Sequence, residues 1–182
     1  ELAEPSLVIG VDPSEVSGIP VVPAGFVPQG MSDEPLPGLA AACWKAPTSG
    51  GSTGRPKLIV STQRADLSAV EPFARLLGMV DGGTSLITGP LYHNAPFLLS
   101  TCTLVLGGHV VLMPRFDAAE AVRLAAEFDT DWVYVVPTMM SRIWRLPNRE
   151  DFDVSSLKTL WHLAAPCPPH LKEAFIHWLG GD

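Results

Sequence analysis

From residue 84 onward the chain alternates short apolar runs with longer amphipathic stretches, and this alternation limits the fold more than any other feature. The runs are 84–88, 109–113, 131–136 and 157–163. Between and after them lie helical patterns at 94–106, 118–128, from Pro137 to near Leu146, and from Pro168-Pro169 to Leu179. Strands that alternate with helices imply βαβ units: an α/β fold, with a mainly parallel sheet and covering helices. Local punctuation agrees. Asp117 can cap the second helix, Pro137 suits a first helical turn, and Gly107-Gly108 can stop the first.

The N-terminal part is less regular. Residues 7–11 read as a short buried strand ending at Asp12-Pro13, and 19–22 as a second weak run. Residues 23–38 are rich in Pro and Gly and read as a surface loop. Residues 39–44 and 58–60 are apolar and flank a glycine loop, so a hairpin carrying that loop is expected. Ser61 or Thr62 can cap a helix running to about Leu77, with Leu67, Val70, Phe73, Ala74 and Leu77 at helical spacing and Gly78 as its stop.

The loop is Ser49-Gly50-Gly51-Ser52-Thr53-Gly54-Arg55-Pro56-Lys57. Its glycines let backbone N–H groups come close to a ligand. Ser49, Ser52 and Thr53 add hydroxyls, and Arg55 and Lys57 add charge. The composition suits an oxyanion cradle, and it also suits a polar hairpin turn. It is not a Walker loop, because Gly54 is followed by Arg55 and Pro56 rather than by Lys and Ser or Thr.

In order, the nine residues resemble the phosphate loop of the adenylate-forming enzymes, the superfamily of acyl-CoA synthetases, aryl-CoA ligases, luciferases and peptide-synthetase adenylation domains. Every position from Ser49 to Lys57 fits that signature. Leu58 departs from it, standing where the family has a glycine. Three further segments follow in family order. Pro90-Leu91-Tyr92-His93 is similar to a Pro-x-aromatic-His segment bordering the carboxylate substrate and the acyl pocket. Val136-Pro137-Thr138-Met139 resembles a Val-Pro-Thr segment whose helix lies near that pocket. The stretch from Leu157 to Ala164-Ala165-Pro166 is similar to a strand and loop that pack along adenine, although Leu163 and Ala164 replace the family's two glycines.

The resemblance implies an acid-CoA ligase: MgATP activates a carboxylic acid, pyrophosphate leaves, and coenzyme A takes the acyl group. It implies that Ser49, Gly50, Gly51, Ser52, Thr53, Gly54 and Lys57 hold the phosphates, with Lys57 and His93 as catalytic residues. Ala164, Ala165 and Pro166 would line the adenine, and Tyr92, His93, Thr138 and Met139 the acid. Phe97 and Trp144 lie in the same pocket segments, and together these side chains suit an apolar or ring-bearing acid as well as a fatty chain. The form of the motifs looks closest to bacterial ligases for bulky acids, including bile-acid-type ones. The family's magnesium-binding glutamate motif, its ribose-binding aspartate and its C-terminal domain do not occur within residues 1–182. The expectation is therefore a partial N-terminal domain, incapable of full catalysis alone.

Composition narrows the partners. A net charge of −7 and a pI near 5.1 argue against a general nucleic-acid binder. Residues 82–114 carry no Asp, Glu, Lys or Arg, but glycines and prolines cut the stretch into pieces too short to cross a membrane. The N-terminus has no secretory pattern, and the widely spaced Cys43, Cys102 and Cys167 suit a reducing, cytoplasmic setting. Cys167 has no activating partner in sequence and reads as inert. His170 and His177 are two turns apart on one helix, a poor metal spacing, so no protein metal site is expected here. Two alternatives stay open: another ATP-binding enzyme, and a degenerate non-catalytic adenylation fold.

Overall fold

The computed structural model describes residues 7–27, 29–32, 34, 38, 40–48 and 54–180. They fall into two compact units, residues 1–65 and 66–182.

In the first unit, β1 (Val8–Ile9) and β2 (Val21–Val22) form a two-residue parallel pair. Contrary to expectation, β1 is not buried, and Ile9 is 70% exposed. A pair of two-residue strands buries little surface of its own. The expected hairpin is present as an irregular ladder. Ile59 N–H donates to Pro47 C=O (2.8 Å), Ser61 to Lys45 (3.1 Å), Trp44 to Gln63 (3.2 Å) and Ala65 to Ala41 (2.8 Å). Thr48 and Leu58 form one antiparallel bridge. The arms do not become regular strands; Pro47 and Pro56 have no N–H to give to a ladder.

The second unit opens with α1 (Val70–Leu76). The expected helix from residue 61 or 62 is cut to its last two turns, and Pro72 explains why. Inside a longer helix its ring would clash with a preceding carbonyl, costing about 3 kcal/mol. Starting at Val70 puts Pro72 in the first turn, where no N–H is needed. Gly78, at φ +80°, ends the helix as expected.

There follow β3 (Thr84–Ile87), α2 (Asn94–Val105), β4 (His109–Leu112), α3 (Ala118–Glu127), β5 (Trp132–Val135), α4 (Pro137–Trp144), β6 (Thr159–His162) and α5 (Pro169–Trp178). The four strands form one parallel sheet in the order β4-β3-β5-β6. Alternate side chains build two cores. Ile87, Trp132 and Tyr134 pack with α1 and α2 on one face. Leu86, Val111, Val133 and Val135 pack with α3, α4 and α5 on the other. Every residue of β5 is buried, as a strand covered on both faces requires.

Asp131 ties the amino ends of three strands. Its carboxylate accepts from Thr84 N–H (2.7 Å), and its carbonyl accepts from Lys158 and Thr159 N–H (2.9 and 3.0 Å). A Cβ on Gly83 would stand 2.7 Å from that carboxylate and 2.9 Å from Val80 Cγ2, so a larger residue there forces these side chains to shift. Among the described residues no helix is long and apolar enough to cross a membrane.

Candidate active site at the carboxyl ends of the strands

Strands β3 and β5 are neighbours, but their connections part. The chain leaves β3 through α2 toward β4 on one side, and leaves β5 through α4 toward β6 on the other. Such a switch point opens a crevice at the carboxyl ends of the strands, the place where open α/β sheets bind ligands. Tyr92-His93 follow β3, Thr138-Met139 follow β5, and Ala164-Ala165-Pro166 follow β6. The structure thus brings these seven candidate residues to one edge of one sheet.

The β3 and β5 loops are fastened together. Thr88 is fully buried, and its Oγ1 donates to the Tyr134 carbonyl at 2.7 Å and lies 3.4 Å from Met139 Sδ. A Cβ on Gly89 would come within 3.0 Å of Pro96 Cγ and 3.3 Å of the Tyr134 hydroxyl. The chain therefore leaves β3 pressed against the first turn of α2. Burial pushes the Tyr134 phenol above its ordinary pKa, so it stays protonated well past neutral pH. Neither Thr88 nor Tyr134 stood out in the sequence, since each looks like one more residue of a buried strand.

His93 occupies the N-cap of α2 with extended backbone, φ −85° and ψ 144°. Its N–H donates to Pro90 C=O (3.1 Å), and its C=O accepts from Phe97 N–H (3.2 Å). The side chain does not cap the helix. The imidazole lies beside Tyr92, with ring centroids 4.5 Å apart and planes tilted by 52°. Both side chains are exposed, as is Thr138, while Met139 is half-buried.

Ala164 carries the sharpest backbone signal. Its φ is +72°, and only one other described non-glycine residue, Asp129, has positive φ. An L-residue pays roughly 1–2 kcal/mol in this region. Ala164 stands where the resembling loop has glycine, so the main chain keeps a glycine's path although the residue has changed. Ala164→Gly is expected to raise unfolding free energy by about 1 kcal/mol, because strain relief outweighs the greater freedom glycine gives the unfolded chain. Urea denaturation checks it, and a lower midpoint in the glycine form would contradict a strained Ala164.

Of the phosphate-loop residues, Ser49, Gly50, Gly51, Ser52 and Thr53 lie outside the described residues. Gly54 is at φ +93°, and a Cβ added there would meet nothing within 4 Å, so its glycine serves conformation rather than crowding. Arg55 and Lys57 are exposed. The hairpin ladder flanks the loop on both sides in sequence.

One suggestion from sequence parts company with the site. Trp144 packs against Phe175 on the α3–α5 face, with the Arg149 guanidinium 4.0 Å over its ring, and so does not join Tyr92 and Phe97. The Cys167 thiol lies 3.9 Å from Met140 Sδ and 3.8 Å from Pro168 O, contacts that give it no base. Among the described residues, no three His, Cys, Asp or Glu side chains converge to hold a metal.

A family profile described as AMP-binding enzyme matches residues 46–182. The chain belongs to the AMP-binding enzyme family. A feruloyl-CoA synthase from an Amycolatopsis species is 33% identical to this chain over 160 residues, covering 85% of the chain and 32% of that protein. The chain thus spans about a third of that relative's length. Among solved structures, the N-terminal domain of FACL13 from Mycobacterium tuberculosis matches with a TM-score of 0.75 at 16% identity, covering 96% of this chain and 48% of that one. The amide bond synthetase McbA from Marinactinospora thermotolerans matches at 0.74 and 21% identity, covering 98% and 40%. At these identities the likeness is one of fold, and it agrees with the α/β architecture expected from the sequence.

Proposed function

We propose that residues 1–182 are part of the N-terminal domain of an ATP-dependent acid-CoA ligase that works in the cytoplasm. What supports this is the β3/β5 switch point, since the segments bearing His93, Thr138, Met139 and Ala164–Pro166 follow the carboxyl ends of three adjacent parallel strands. Kinship with the feruloyl-CoA synthase supports the acid-CoA ligase reading.

In this scheme the carboxylate oxygen attacks the α-phosphorus of ATP. A P–O bond forms, the bond to the departing pyrophosphate breaks, and an acyl-adenylate results. The thiol of coenzyme A then takes the acyl group and AMP leaves. An in-line displacement of this kind depends on positioning and charge neutralisation. Ser49–Gly54 would offer N–H and hydroxyl donors to the β- and γ-phosphates, and Lys57 a compact positive charge. Ala164, Ala165 and Pro166 would pass close to the adenine face. His93, with Tyr92 against it, would orient the carboxylate, and Thr138 and Met139 would border the acid. Magnesium would enter bound to ATP, and the described residues here supply it no cluster of ligands. Neither nucleic acid nor a membrane is a partner in this reading.

The test is ATP–pyrophosphate exchange by the protein at its natural full length, against a panel of carboxylic acids. Exchange that requires an acid is the expected result. ATP turnover indifferent to every acid would replace the ligase with another ATP-binding enzyme. Failure to bind ATP would indicate a degenerate adenylation fold.

A further inference from the structure

Tyr134 is the third residue of β5, and its ring belongs to the core on the α1/α2 face. It pairs across the sheet with Ile87 of β3 and Trp161 of β6, so it stands between the strands that lead to His93 and to Ala164. Only 6% of the residue is exposed. A buried tyrosine ordinarily finds a partner for its hydroxyl. The two indoles on this face obey that rule: Trp132 and Trp161 Nε1–H both donate to the Leu77 carbonyl, at 2.9 and 2.8 Å. The phenol does not. Among the described residues its oxygen has no hydrogen-bond partner, and the bond that Tyr134 accepts, from Thr88 Oγ1, goes to its carbonyl. Burial alone raises its pKa, with no contribution from a hydrogen bond or a neighbouring charge.

The oxygen is also reachable. Unpartnered side-chain atoms sealed from solvent, among the described residues, belong to Ser100, Thr130, Arg149 and His162, and the Tyr134 oxygen is not one of them. Gly89 keeps it uncovered. A Cβ there would stand 3.3 Å from the hydroxyl and 3.0 Å from Pro96 Cγ. Gly89 is not at positive φ, so its missing side chain serves space rather than backbone conformation. It lies four residues before His93, and Pro96 lies three after. The hydroxyl therefore faces the foot of the segment that carries Tyr92 and His93, on the sheet side of it.

We propose that Tyr134 is a specificity-determining residue whose hydroxyl hydrogen-bonds an oxygen substituent of the acid, at a position away from the carboxylate; this rests on the acid-CoA ligase reading above. A phenol both donates and accepts, so a hydroxyl, ether or keto oxygen suits it. Inside the protein the oxygen does nothing that phenylalanine would not, because the ring's neighbours in this core, Ile87, Leu99 and Trp132 among them, are apolar. A site that hydrogen-bonds a substrate group discriminates against the analogue lacking it. One neutral hydrogen bond corresponds to roughly 10-fold.

The experiment uses the full-length protein and its Tyr134→Phe form. The probes are 3-phenylpropanoic and decanoic acids, each beside counterparts carrying a hydroxyl, methoxy or keto oxygen at successive positions. Acid-dependent pyrophosphate exchange is read in parallel with tryptophan fluorescence titrated with acid in the absence of ATP. For at least one position the oxygenated acid is expected to bind and react about 10-fold better than its parent. Tyr134→Phe is expected to shrink that ratio about 10-fold, with the thermal midpoint unchanged or higher, since the hydroxyl has no internal partner. A ratio unchanged in the variant, including an equal loss with every acid, overturns the proposal and leaves the ligase standing. So does a clearly lower midpoint, which would mean that the hydroxyl is paired within the protein. Should the variant fail to fold, the unaltered protein still decides, because indifference to oxygen at every position overturns the proposal. Tyr134-dependent preference in binding, without exchange by any acid, keeps the residue's role and overturns the ligase.

Discussion

Replacing Lys57 with alanine is expected to lower acid-dependent ATP–pyrophosphate exchange roughly 100- to 1,000-fold, the scale seen when one preorganised charge-stabilising group is lost from a reaction centre. Lys57 is exposed at the foot of the glycine loop, and surface changes of that kind move stability by about 0.5 kcal/mol or less. The loss should therefore appear in turnover with the thermal midpoint almost unchanged. Arg55, two residues earlier, occupies a position where the resembling signature accepts any residue, so Arg55→Ala should cost much less. Lys57→Arg is not expected to restore the rate, because a planar guanidinium does not reproduce a compact ammonium charge. Exchange by the alanine form at the wild-type rate would remove Lys57 from the chemistry.

Trp132→Ala is expected to destabilise the protein by about 3–5 kcal/mol, the usual cost of truncating a buried tryptophan. Trp132 has no exposed surface, and it sits in β5 against α1 and α2. Its truncation would leave a void among Ile87, Leu99 and Tyr134 and take one of the two donors from the Leu77 carbonyl. With typical domains stable by only 5–15 kcal/mol, such a loss should be plain in a urea titration. Trp132→Phe, which keeps most of the ring surface, should lose clearly less. A deficit below about 1 kcal/mol for the alanine form would mean that α1 collapses into the gap.

Much of the second unit was legible because its signals are local. Asp117 caps α3 through its side chain, accepting from Glu120 N–H at 2.9 Å, and Pro137 and Pro169 stand in the first turns of α4 and α5. Gly107 follows the end of α2 at φ +67°. Those boundaries fall within about two residues of the expected ones. The start of α1 was missed because apolar spacing was weighed without Pro72, whose missing N–H is just as local. Strand order was not legible at all: β5 lies beside β3 rather than β4 through pairings dozens of residues apart. Nor was the division of side chains between faces, which sends Trp144 to α5 and Trp161 to α1. The candidate site was proposed from motifs in order, whereas the Thr88 link to Tyr134 and the strain at Ala164 required coordinates.

The Asp131 tie has a consequence for how such a chain can diversify. It clamps three strands at their amino ends, while every candidate contact residue of the second unit departs from the opposite edge. Inheritance can therefore act on the two edges separately. One is a chassis, where a change at Gly83 or Asp131 disturbs the tie itself. The other is a set of exchangeable fittings whose replacement alters what is held without unsettling what holds it.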